Sequence, residues 1–110
     1  MSTQINHYVL WGVFLPTAAA NKYEVYEPYL DSPYNADMNP KDGVTVLSGE
    51  GYLVIGHVIA KSKNYEALGV VELEWTPELP EGCSTAIHAL CEQLEVDWKP
   101  FRWIVLGHYR

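Results

Sequence analysis

The stretch Ile5–Leu15, INHYVLWGVFL, decides how the rest of the chain is arranged. Its density of valine, tyrosine, tryptophan and phenylalanine favours a strand over a helix. Nearly every position is apolar, which predicts a place in the interior of a sheet rather than at its edge. Pro16 closes the run. Working outward, residues 44–47 and 52–60 are two further apolar, β-rich runs separated by Ser48, Gly49, Glu50 and Gly51, the pattern of a hairpin. Residues 68–75, LGVVELEW, alternate: Val71, Leu73 and Trp75 on one side, Glu72 and Glu74 on the other. That pattern predicts a half-buried strand with its acids in water. Residues 101–109, FRWIVLGHY, predict a last strand, interior or closing the sheet.

Two helices are expected. Residues 17–26, TAAANKYEVY, read as a short helix that Pro28 ends or kinks. In the second, Ser84 is a candidate N-cap for a helix running to about Glu95, with Ile87, Leu90, Cys91 and Leu94 at helical spacing on one face. The expected architecture is therefore a single α+β domain over residues 1–110. Its order is β-α-β-β-β-α-β, with a mixed or mostly antiparallel sheet of about five strands and two helices. At 110 residues the chain suits one core.

Composition bears on function by exclusion. A net charge of −7 opposes phosphate backbones, so direct nucleic-acid binding is not expected. The apolar runs are too short to span a bilayer. The opening Met-Ser-Thr-Gln-Ile-Asn-His has neither a charged leader nor a long apolar run, and the expectation is a cytoplasmic protein. Cys83 and Cys91, eight apart, would stand ~12 Å from one another along a shared helix, too far for a disulfide.

No chemical motif survives scrutiny. The segment Asn35-Ala36-Asp37-Met38-Asn39 imitates the opening of a calcium loop, but Pro40 stands where glycine belongs and Val46 where a bidentate glutamate belongs. His7, His57, His88 and His108 lack ligand spacing, although His7 and His108 could meet if the first and last strands pair antiparallel. Cys83 near a helix start could be activated by the helix dipole but has no base close in sequence, and Cys91 lies on the apolar stripe. Gly49-Glu50-Gly51 lacks the lysine and helix of a phosphate loop. Neither a metal nor a cofactor is expected, and no catalytic residue is assigned.

The aromatic content is the positive signal. Two phenylalanines, eight tyrosines and four tryptophans make 13% of the chain. Tyr23, Tyr26, Tyr29 and Tyr34 are interleaved with Glu24, Glu27, Asp31 and Asp37, and an acidic surface studded with tyrosine suits a protein interface. Those eight residues are the candidate partner-binding set. Two other readings compete with it. One is a small-ligand binder, such as a nucleotide-signal sponge, with Trp11 and Trp103 lining a pocket. The other is a small hydrolase using His57 or His88. An exposed apolar sheet face would instead indicate a homodimer.

The segments HYVLWGVFLP (7–16), YEPYLDSPYN (26–35) and KDGVTVLSGEGYLVIGHVIAKS (41–62) resemble small accessory proteins of tailed bacteriophages. The resemblance implies a non-enzymatic inhibitor acting in the bacterial host cell. Its partner would be a host protein or nucleoprotein immune complex with a basic surface, of the anti-CRISPR or anti-restriction kind. It implies no particular site residues.

Overall fold

The computed structural model describes residues 5–15, 22–30, 39–49, 51–62, 68–96 and 100–109. The elements in chain order are β1 (Ile5–Leu15), α1 (Tyr23–Tyr26) with a 3₁₀ turn at Glu27–Tyr29, β2 (Thr45–Gly49), β3 (Tyr52–Lys61), α2 (Cys83–Gln93) and β4 (Arg102–Tyr109). The result is a small α+β fold with two helices and a four-stranded antiparallel sheet of order β2-β3-β1-β4. β1 is interior, flanked by β3 and β4, as its unbroken apolar run requires. β2 and β3 form the expected hairpin: Gly49 pairs with Tyr52, and Gly51 has a φ of +87°.

Register divides the side chains into two faces. On the inner face, Tyr8 and Leu10 of β1 lie beside Leu106 and Ile104 of β4 and Val58 of β3, and Leu47 lies beside Val54. This cluster is sealed, with Tyr8, Leu10 and Leu47 wholly buried. The edge strands β2 and β4 approach one another, and the Tyr52 hydroxyl of β3 meets His108 Nδ1 of β4 at 2.5 Å. His108 lies edge-on to both Tyr8 and Tyr52. The Tyr52 ring passes over Gly49, where a Cβ would stand 2.2 Å from Tyr52 Cζ.

Glycine also permits the curl itself. Gly12 and Gly56 face one another across β1 and β3, and a Cβ on Gly12 would stand 2.0 Å from the Ile55 carbonyl oxygen. Paired glycines inside a sheet mark such a sharp bend. A bulge adds to it: Val9 pairs with Ala60 and Leu10 with Val58, leaving Ile59 as the extra residue on β3.

The outer face holds the larger core. Val13, Leu15, Val46, Leu53 and Ile55 of the sheet pack with Cys83, Ile87, Leu90, Cys91 and Leu94 of α2 and its C-terminus, together with Tyr26. The helix begins at Cys83 rather than at Ser84's successor, with Gly82 at the N-cap in a left-handed conformation (φ +83°) and Ser84 exposed within the first turn. Starting there brings Cys83 onto the apolar stripe, which the Ser84 cap would have left outside the helix. At the other end Glu95 is left-handed (φ +58°), Val96 N–H donates to the Cys91 carbonyl and Glu95 N–H to that of Glu92. This is a Schellman closure. Lys22 reinforces it with an ion pair to Glu95 (2.8 Å) and a long contact to the Gln93 carbonyl (3.4 Å), a cation placed where the helix dipole is negative. Lys22 also holds the Glu95 carboxyl below its ordinary pKa.

Two expectations are corrected. Residues 68–75 form no strand, so the sheet has four strands and not five. Alternation supplies a face, but a strand also needs a ladder partner. Here the sheet edges turn toward each other, and the approach from β4 is made by the Trp103 indole donating to the Glu74 carbonyl (3.0 Å). In addition, His7 and His108 do not meet as a pair. β1 and β4 are antiparallel, but His7 faces Gly107 and His108 faces Asn6, so the two rings project to opposite faces. The expected helix over 17–26 is described only at Tyr23–Tyr26, since residues 17–21 lie outside the described residues.

Asn39 holds an unforeseen structural position. Its side chain pairs with the Val58 backbone in both senses, Nδ2 to the carbonyl (3.0 Å) and Oδ1 from the N–H (2.7 Å). Thr45 Oγ1 donates to the same Oδ1 and accepts from Asn39 N–H. The amide thus acts as one rung of strand where β2 has not yet begun. Its φ of +57° is one that asparagine tolerates.

Gly12→Ala is expected to lower the unfolding free energy by about 3 kcal/mol, because backbone rather than a movable side chain meets the added methyl. Asn39→Ala is expected to cost about 2 kcal/mol through the unpaired Val58 groups. Urea denaturation of each variant measures both, and losses under half a kilocalorie in either would contradict the corresponding reading.

Candidate interaction surface

The sequence-based partner set divides on burial. Tyr26 is 2% exposed and belongs to the outer core. Tyr29 is half-buried against that core, with Lys41 Nζ 5.2 Å from its ring centroid. Tyr23 is half-exposed and touches Tyr26 edge-on (5.6 Å), while Glu24 and Glu27 are exposed. Asp31, Tyr34 and Asp37 lie outside the described residues. The spacing of Tyr23, Tyr26 and Leu30 suggests a shared helix face, but the helix is one turn long and then tightens to 3₁₀ geometry. Tyr26 therefore turns inward while Tyr23 does not.

A different aromatic group is assembled by tertiary structure. Trp11 of β1 and Trp103 of β4 are register partners on the outer face, with rings edge-on at 5.2 Å. They lie on the half of that face beyond the α2 core, and residues 68–81 run past them. Trp11, Trp103, Leu73, Trp75, Phe101 and Arg102 line a shallow groove of about 470 Å³. Trp75 is 95% exposed, Leu73 45%, and Val105, two positions along β4 from Trp103, 65%. A second recess of about 420 Å³ lies along the same segment, lined by Ile59, Trp103, Pro77 and the acids Glu72, Glu74 and Glu78. The bulge that frees Ile59 from the ladder thus furnishes part of this surface.

The electrostatics are one-sided. Glu72, Glu74, Glu78 and Glu81 are exposed along residues 72–81, against one cation, Arg102, among the described residues lining the groove. An apolar aromatic centre with a charged rim is the anatomy of a protein interface. Trp11 and Trp103 were legible as pocket-liners. Trp75 and Leu73 were not, because their expected strand would have turned them toward a core. Pro77 and Pro80 in the same segment were the available signal against that strand.

Cys83 and His57 converge on one atom without forming a nucleophilic pair. His57 Nδ1 lies 2.7 Å from the Gly43 carbonyl oxygen, and Cys83 Sγ donates to the same oxygen at 3.4 Å. A carbonyl only accepts, so Nδ1 carries the proton and cannot act as a base there. Burial, helped by the negative charge of Asp42, pushes the Cys83 thiol above its ordinary pKa. Desolvation outweighs the helix-start position that would favour thiolate. Cys91 is raised by burial as well. His88 rests against Phe101, with ring centroids 5.1 Å apart. Among the described residues no three His, Cys, Asp or Glu side chains are grouped to hold a metal ion, and no helix is long and apolar enough to cross a membrane.

Both cysteines are expected to resist a colourimetric disulfide reagent at pH 8 in the native protein and to react fully after denaturation. The sign for stability follows from the raised thiol pKa values. The native state holds these protons more tightly, so stability is complete below the ordinary thiol range and falls as pH rises through the native values. A rapidly reacting thiol in the folded protein would contradict this placement.

No protein family, curated protein or solved structure matches this chain, and the surface is therefore read from its own geometry.

Proposed function

We propose that this chain is a non-enzymatic binding protein that docks a basic surface of another protein through the Trp11–Trp103–Trp75 groove. The observation that carries the reading is Trp75, a full-sized indole left in solvent beside two further tryptophans and ringed by Glu72, Glu74 and Glu78. Tryptophan is the residue most enriched among energetic hot spots, and exposing one without a partner forfeits its burial. The acids speed encounter with a cationic partner and set its orientation. The resemblance to phage accessory proteins supports a partner in a host protein or immune complex, of the anti-CRISPR or anti-restriction class. Tyr23, Glu24 and Glu27 offer a second, smaller acidic patch.

Small-ligand sequestration is favoured by the groove's volume and by the Trp11–Trp103 pair. It is disfavoured by the exposure of Trp75, since a ligand site normally encloses most of its ligand. A macromolecular partner brings the missing wall with it.

Three baits separate these readings in lysate of the bacterial host: the wild-type chain, Trp75→Ala with Glu72→Lys and Glu78→Lys, and Glu24→Lys with Glu27→Lys. The groove variant is expected to lose the co-purifying protein by about tenfold or more, and the helix variant to retain it. Retention by the groove variant, or release of a small molecule from the denatured wild-type protein in its place, would overturn the proposal.

A further inference from the structure

Residues 70–75 have the composition of a strand and none of its pairing. Val70, Val71, Glu72, Leu73, Glu74 and Trp75 combine β-branched and aromatic side chains with alternating acids. Residues 70–74 make no turn or bend, and none has a positive φ. Yet among the described residues the one hydrogen bond to this stretch is the Trp103 indole N–H on the Glu74 carbonyl. Among the described residues its own N–H groups have no partner, and Val70 is 96% exposed. A row of unpaired N–H and C=O groups on a β-prone segment is a template for another strand.

We infer that residues 70–75 bind an extended, lysine- or arginine-bearing segment of the partner protein by main-chain pairing, a strand added to this chain from outside. The inference rests on the docking surface proposed above and specifies how that surface is used. Charge selects the occupant: Glu72 and Glu74 lie within the segment and Glu78 and Glu81 follow it, all exposed, so alternate basic side chains of an incoming strand meet carboxylates. The side chains between them reach the groove between Trp11, Trp103 and Trp75. A second copy of this chain is the poorer occupant, since it would bring the same acids and a charge of −7 against its like. Gly69 (φ +75°) and Gly82 (φ +83°) bracket the segment, and a Cβ on either would meet nothing within 4 Å.

The probe is a peptide of about eight residues, a strand's usual length, alternating lysine and valine. Its counterpart has the same side chains with alternate amides N-methylated along one edge. Hydrogen exchange and tryptophan fluorescence are read on the full chain. The unmethylated peptide is expected to bind saturably and to protect amides within 70–75 that exchange freely in its absence. N-methylation is expected to weaken binding by about tenfold or more, because it deletes main-chain donors alone. Equal binding of the two peptides, or binding without protection of 70–75, would overturn strand addition while leaving the acidic groove as a docking surface. Absence of binding by either peptide would also overturn it, and the bait experiment above then decides the docking surface separately. Protection of 70–75 in the free protein, with a dimeric mass in solution, would assign the segment to a second copy and likewise overturn the inference.

Discussion

Everything in this fold depends on closing the sheet upon itself at the seam between β2 and β4. Four strands cannot bury both of their faces if the sheet is flat, because the one substantial helix, α2, covers part of one face only. The chain solves this by bending at Gly12 and Gly56 until the Tyr52 hydroxyl of β3 reaches His108 of β4. The inner cluster of Tyr8, Leu10, Leu47, Val54 and Val58 is buried there, with Tyr52, Ile104 and Leu106 packed against it. At one end of that cluster Asn6 Nδ2 donates to the Ser62 carbonyl, Ser62 Oγ accepts from His7 N–H, and Lys61 stands over the Tyr8 ring, while the buried Asn6 Oδ1 has no hydrogen-bond partner among the described residues.

The same closure dictates what is left over. With the sheet rolled, α2 and the Tyr26 turn occupy the outer face over Val13, Leu15, Val46, Leu53 and Ile55. Among the described residues, the opposite end of that face, where Trp11 and Trp103 stand side by side, is met by an irregular connection held by an indole–carbonyl hydrogen bond. A fifth strand there would have continued the ladder beyond β4. The chain instead spends Pro77 and Pro80 on reaching the start of α2, and Gly43 packs against Pro80 to receive it. The groove is therefore a consequence of topology rather than an accident of side-chain choice.

Legibility in the sequence followed the range of the forces involved. The interior place of β1, the β2–β3 hairpin and the apolar stripe of α2 could be read from local periodicity, since burial of those residues is decided within each element. Tyr26 could not. Its fate depends on a helix reduced to one turn and on α2 lying beneath it, both tertiary facts. Residues 70–75 carry a correct strand pattern, and Glu72 and Glu74 are exposed as that pattern demands. What the pattern could not supply was a neighbour to pair with. Asn39 entered the sequence reading only within the rejected calcium-loop likeness, because its pairing with Val58 arises from a contact 19 residues away. Trp11 and Trp103 were recognisable as a potential lining, whereas the register that sets them face to face was not.

A strand pattern without a strand is the most informative conflict in the molecule. Chains whose local and global preferences agree fold without leftover surface, and disagreement concentrates where function does. Here the disagreement has a definite chemical content: unpaired amides, an indole in solvent and a run of carboxylates, all within residues 70–81. Burying Trp75 on this chain alone would require a wall that α2 cannot provide, because its stripe is already consumed by Ile55, Leu53 and Val46. Neutralising the acids internally would require cations, and among the described residues Arg102 is the one lining the groove. Each deficiency can be met from outside by the same kind of object, a basic polypeptide strand carrying apolar side chains. Hydrogen-bond, apolar and charge requirements converge on one occupant, which is a stronger constraint than any of them alone.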